Sequence, residues 1–186
     1  MKKIVVLSSS GGGTFEKILK ASFERKEFEV SLLITDRTCG AQDVARRNNI
    51  PFKQVNAEEL HKVLLNDSLQ LVDLVVLAGY MSKVPKDLCD NFAERMINIH
   101  PSLLPKHGGL GMYGMNVHKA VIAEGDKFSG CTAHLVSEEY DEGKILGQKS
   151  LQLDSNDSPE SLAKKIWELE GQLIIEVIRK LVTTGN

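Results

Sequence analysis

The chain has 186 residues, enough for one domain spanning 1–186 with a sizeable core, and its 42% hydrophobic and 26% charged content is that of an ordinary globular protein. A formal net charge of −2 implies no general affinity for nucleic acid or another polyanion, and no apolar run is long enough to cross a bilayer. Cys39, Cys89 and Cys131 are widely spaced with no C-x-x-C pair, which disfavours a disulfide framework or a zinc site and fits a reducing, cytoplasmic setting.

Residues 3–7 read as a first strand rather than a signal segment, because the apolar run stops at Ser8-Ser9-Ser10. Residues 8–14 are a small-residue turn, and Phe15, Ile18, Leu19 and Phe23 then fall at helical spacing. A strand, a glycine loop and a helix in this order make an anion cradle. Glycine lets the backbone approach closely, and the free N–H groups of the first helical turn face the ligand. The loop Ser9-Ser10-Gly11-Gly12-Gly13-Thr14 is neither G-x-G-x-x-G nor a Walker A loop, so a single phosphate suits it better than a dinucleotide or a nucleoside triphosphate.

Residues 29–35 form a second strand, 41–48 a helix and 51–55 a short third strand. Residues 57–65 read as a helix with Asn56 at its N-cap and Glu59 completing a capping box. Residues 71–77, beginning at Leu71, are a strongly apolar strand, and 86–92 a short helix. In Met96–His100, Ile97 and Ile99 alternate with Asn98 and His100, so the polar pair shares one face. Pro101 and Pro105 end that strand and stiffen the loop behind it. Strands alternating with helices through short links predict a doubly wound, mostly parallel α/β sheet with helices on both faces. The first and fourth strands then lie side by side, and ligands bind in the crevice where the strand order reverses. An Asn that donates to an oxygen and a His that moves a proton, delivered there, suit acyl-type transfer.

Four glycines between His107 and Met115 exclude a regular element and predict a ligand-shaped or mobile loop. Asn116 is expected to cap a helix over 117–124. His107 is expected to be solvated, and His118 to make a hydrogen bond at that helix's start. Residues 131–136 form a strand, 137–143 an acidic loop and 144–153 another strand. Leu162, Ile166, Leu169, Leu173, Ile174, Val177, Ile178 and Leu181 then fall on one face of a long C-terminal helix docked on the sheet.

Three blocks carry a resemblance. Asn98 to Lys106 reads N-I-H-P-S-L-L-P-K, residues 75–81 read V-V-L-A-G-Y-M, and residues 130–143 fit G-x-T-x-H-x-V followed by D-x-G. Together they resemble the folate-dependent formyltransferases over essentially the whole chain, most closely the branch that formylates glycinamide ribonucleotide in purine synthesis. The resemblance implies a Rossmann-like formyltransferase fold, 10-formyltetrahydrofolate as co-substrate and formyl donor, glycinamide ribonucleotide as acceptor, and no metal. It puts Asn98, His100 and Asp141 on the catalytic positions, with Asp141 expected to raise the His100 pKa and favour imidazolium. Gly12, Gly13, Thr14 and Glu170 fall on positions that hold the ribonucleotide. Met81, Ser82, Lys83, Val84, Asn98, Ser137, Glu138, Glu139, Tyr140 and Asp141 fall on the folate site, where much of the recognition is by backbone.

The chain departs from the family pattern in Gly13 and Thr14, where Ser and Asn are usual, in Ser82, where Arg is frequent, and in Trp167, which takes a polar position. A formyltetrahydrofolate deformylase of the same family is expected to carry a further N-terminal domain, and the tRNA-formylating branch a C-terminal one. Neither is expected of this chain, which is taken as a monomer or weak homodimer. A non-catalytic phosphate-ligand binding module is the alternative from outside enzymology.

Overall fold

In a computed structural model, residues 1–65 and 72–184 are described. The elements run β1 (Lys2–Ser8), α1 (Gly13–Arg25), β2 (Phe28–Thr35), α2 (Gly40–Arg47), β3 (Phe52–Gln54), α3 (Ala57–Leu64), β4 (Leu74–Leu77), α4 (Lys86–Asn91), β5 (Met96–His100), α5 (Met115–Ala123), β6 (Phe128–Leu135), β7 (Ile145–Gln152) and α6 (Pro159–Thr184). Leu71, the expected start of the fourth strand, lies outside the described residues. Asn56 and Glu59 form the capping box of α3: Glu59 N–H donates to the Asn56 side chain at 2.9 Å, and Asn56 N–H to the Glu59 carboxylate at 3.1 Å.

The strands form one sheet in the order β3-β2-β1-β4-β5-β6-β7. β1 pairs in parallel with both β2 and β4, so the order reverses between them, and β5 continues the parallel set. β6 and β7 are antiparallel additions at one edge. Alternation along β1 divides two cores. Ile4 and Val6 pack with residues of α1, α2, α5 and α6 on one face; Val5 and Leu7 pack with α3 and α4 on the other. Strands buried on both faces need the continuous apolar runs seen in β1, β2 and β4. Along α6, Leu162, Ile166, Leu173, Ile174, Val177 and Ile178 are buried, the stripe expected from their spacing.

Two helix starts differ from the sequence reading. α1 begins at Gly13, two residues before its first apolar position. Gly12 takes the left-handed φ of 87° at the N-cap with no side-chain cap, which leaves the Gly13 and Thr14 amides in an open first turn. α5 begins at Met115, with Gly114 (φ 53°) at its N-cap. Asn116 therefore does not cap it; its side-chain amide donates to the Gly111 carbonyl at 3.1 Å and ties down the glycine loop. Among the described residues, no helix is long and apolar enough to cross a membrane.

Candidate active site

A cleft of about 580 Å³ opens at the carboxyl ends of β1, β4 and β5, the crevice expected of this topology. Small hydroxyls stitch its floor. Ser8 Oγ donates to the Ala78 carbonyl at 2.8 Å, Ser9 N–H to the Gly79 carbonyl at 2.9 Å, and Met81 N–H to Ser9 Oγ at 2.9 Å. The Ser-Ser-Ser run after β1 is thus the lock between two loops. Met81 N–H, expected among the backbone donors to folate, is already committed to Ser9.

β5 delivers Asn98 and His100, and the loop after β6 delivers Asp141. The antiparallel register sets Asn98 opposite His134 and His100 opposite Thr132. His100 is 4% exposed. Its Nε2 lies 2.8 Å from the His107 carbonyl, which can only accept, so Nε2 carries the proton and Nδ1 faces the Asp141 carboxylate at 3.4 Å. The other oxygen of Asp141 accepts from Gly109 N–H at 2.9 Å, so the glycine loop holds the carboxylate in place. Asn98 Nδ2 lies 3.1 Å from His134 Nε2, and His134 Nδ1 lies 2.8 Å from the Leu135 carbonyl. In a neutral His134, Nδ1 therefore donates and Nε2 accepts from Asn98. The second N–H of the Asn98 amide has no partner among the described residues and remains for a ligand oxygen.

The charge balance at His100 differs from the expectation. Asp141 does favour imidazolium, but burial opposes it more strongly, and the His100 pKa lies below the ordinary 6.5. The resting ring is neutral at neutral pH. Burial pushes the Asp141 carboxyl up, yet the protonated forms of His134, whose Nε2 lies 3.5 Å from it, and of His100, together with the Gly109 amide, outweigh it and hold the group below 3.8, ionised. A neutral base beside a fixed carboxylate is arranged to take up a proton during a reaction and be stabilised once it has.

His107 is buried, not solvated. Its Nε2–H donates to Asp126 at 2.8 Å, fixing the residue whose carbonyl holds His100. His118 is buried as well, and its Nδ1 has no hydrogen-bond partner among the described residues, in place of the expected helix-start bond. The donor atoms of His107, Glu124 and Asp126 lie within 4.8 Å of one another, but Lys106 pairs with both carboxylates and supplies the positive charge there.

At the opposite end of the cleft, Gly13, Thr14 and Glu170 share the wall, whereas Gly12 stands behind it, packed on α2. Desolvation pushes the Glu170 carboxyl up to about 7, opposed by the charge of Lys17. Lys83, Val84, Ser137 and Tyr140 line the third side. Ser82 Oγ donates to Asp36 at 2.6 Å, Lys83 Nζ lies 3.8 Å from Glu139, and Ser137 Oγ donates to the Glu139 carbonyl at 3.0 Å. Glu138 completes this rim. The residue that sequence reasoning left out is His134. Its signal was present in the G-x-T-x-H-x-V block.

Gly143 has no room for a side chain, since a β-carbon would overlap the Leu135 carbonyl oxygen. Gly143→Ala is expected to shift the loop that carries Asp141, with a cost of about 1–3 kcal/mol seen in thermal unfolding. Activity should fall further than that loss of folded protein accounts for.

Residues 2–178 match the formyl transferase family. The chain is 42% identical over 187 residues to the chloroplastic phosphoribosylglycinamide formyltransferase of Arabidopsis thaliana, covering 95% of this chain and 64% of that protein. It thus spans less than two thirds of that plant relative's length. Its structure is similar to the crystal structure of glycinamide ribonucleotide transformylase 1 from Symbiobacterium toebii (TM-score 0.89, 31% identity, 99% of this chain and 89% of that one). It is also similar to a formyltetrahydrofolate deformylase from Pseudomonas syringae pv. tomato (TM-score 0.85, 26% identity, 99% of this chain and 62% of that one).

Proposed function

The chain belongs to the formyl transferase family, and on that footing we propose that it transfers a formyl group from 10-formyltetrahydrofolate to the amine of glycinamide ribonucleotide in purine biosynthesis. The observation that carries the reading is the meeting of Asn98, His100 and Asp141 in one cleft, with His100 Nδ1 3.4 Å from Asp141.

In this reading the amine nitrogen bonds to the formyl carbon, the carbon's bond to folate N10 breaks, and one amine proton ends on N10. The free N–H of Asn98 stabilises the formyl oxygen as it gains negative charge, an effect worth about 3–4 kcal/mol in comparable sites. Neutral His100 takes the amine proton, is stabilised as imidazolium by Asp141, and releases the proton to the departing nitrogen. The ribonucleotide's phosphate rests on the open first turn of α1, and Glu170 accepts from its sugar hydroxyls. The folate head group lies between the segment 81–84 and the loop 137–141. With three free cysteines, Cys39, Cys89 and Cys131, the chain suits the cytoplasm and works as one formyltransferase domain over 1–186.

The likeness to a deformylase favours one competing reading, hydrolysis of the same donor. An absorbance assay for tetrahydrofolate release separates them. Release that requires glycinamide ribonucleotide supports the transferase, whereas equal release without it identifies the hydrolase. No release under either condition would leave a binding module.

A further inference from the structure

Positions 13 and 167 compete for one space. Gly13 opens α1 at the anion end of the cleft, and a β-carbon there would come within 2.9 Å of Trp167 Nε1 and 3.0 Å of Cζ2. Any side chain at 13 must displace the indole, so the two departures from the family pattern are one coupled change. The indole reaches this point from α6, one turn before Glu170 on the same cleft wall. It is held there. Lys17 Nζ lies 3.4 Å from the ring centroid, and Lys17 is itself fixed by the Trp167 carbonyl at 3.1 Å and the Glu168 carboxylate at 2.8 Å. A cation on the ring face draws on the π system and leaves the indole N–H a stronger donor. That N–H makes no hydrogen bond to any described residue, and Trp167 is 39% exposed. Next to it, the desolvated Glu170 carboxyl also lacks a hydrogen-bond partner among the described residues, so this end of the cleft presents both a donor and an acceptor to a ligand.

We infer that Trp167 is a specificity-determining residue of this site: its indole N–H donates to a phosphate oxygen of the ribonucleotide on α1, in place of the side chain that position 13 lacks. The inference rests on the ribonucleotide site proposed above. An indole donates and cannot accept, so the position excludes an ammonium group and favours an anionic phosphate oxygen, a stronger acceptor than a hydroxyl.

The probe is ribose 5-phosphate, titrated without any formyl donor, so that nothing depends on turnover. Trp167 is the single tryptophan, and its emission is expected to change saturably with ribose 5-phosphate and not with ribose. By calorimetry, Trp167→Phe, which keeps a ring on Gly13 and under Lys17, should weaken binding about tenfold. Gly13→Ser should also weaken it, because the serine expels the indole. In the double variant Gly13→Ser/Trp167→Gln most of the affinity should return, a coupling that independent sites would not show. Wild-type affinity in Trp167→Phe, additive losses in the double variant, or binding by wild-type protein with unchanged emission would each overturn the role of Trp167. They would leave the formyl-transfer reading standing. No binding of ribose 5-phosphate by the wild-type protein would overturn the ribonucleotide site along with it.

Discussion

His100→Ala is expected to lower kcat by about 10²–10⁴-fold, the range for loss of a positioned acid–base group, with ribonucleotide binding nearly unchanged. Binding should survive because the anion end of the cleft is built from α1 and α6, whereas the His100 ring is hydrogen-bonded to the His107 carbonyl and faces Asp141. Asp141→Asn is expected to be comparably slow for a different reason. The asparagine oxygen can still accept from Gly109 N–H, so the loop keeps its place. Its amide then faces His100 Nδ1 with N–H donors, which the ring can meet only when neutral, and imidazolium loses its partner. The pH dependence separates the two effects. His100 must be neutral to accept a proton, so activity is lost as pH falls through its pKa, which burial has already set below 6.5. Asp141 is the larger of two influences raising that pKa against burial, the other being the His107 carbonyl. Without its charge the acid limb of kcat/KM should move to still lower pH while the plateau drops. Near-normal turnover in either variant, or an unmoved limb in Asp141→Asn, would remove the proposed proton path.

How far this site could be read from the chain depends on which forces act locally. Asn98 and His100 were legible because a strand has period two and Pro101 breaks it, so their shared face and terminal position follow from neighbours alone. The α3 capping box was legible for the same reason, since its partners are three residues apart. His107 was not. Its burial is set by Asp126, 19 residues along the chain, and by a left-handed backbone at φ 55°, neither of which any local pattern encodes. Asn116 was misread as a cap because the glycine loop, rather than the first polar residue, decides where α5 begins. The sign of the His100 shift was misjudged because a carboxylate in a matching motif is visible in sequence, whereas the depth at which it meets the ring is not. Burial competes with charge, and only the folded geometry says which prevails. Likewise, the departures at Gly13 and Trp167 looked independent until α1 and α6 were packed together.

In the proposed function, Glu170 joins stability and ribonucleotide binding in one carboxyl. Its pKa is raised to about 7 from the 4.5 of an exposed glutamate, so the folded protein holds this proton over a pH range in which the unfolded chain has lost it. Where the folded state binds more protons, stability falls as pH rises. The penalty is therefore absent below 4.5, grows between 4.5 and about 7, and is complete above that, at a ceiling of roughly 3 kcal/mol. Glu170→Gln keeps the shape and removes the charge. It is expected to stabilise the ligand-free protein by up to this amount at pH 8 and hardly at all at pH 4.5, as read from thermal unfolding at the two pH values. Function should move the other way. Ribose hydroxyls donate more strongly to a carboxylate than to an amide, so KM for the ribonucleotide should rise about tenfold in the variant. In the wild-type protein a bound sugar favours the ionised form, and its affinity should strengthen as pH rises through 7, a dependence that Glu170→Gln should abolish. Equal stabilisation at both pH values would mean the carboxyl is not desolvated. An unchanged KM would mean that the ribonucleotide does not use it.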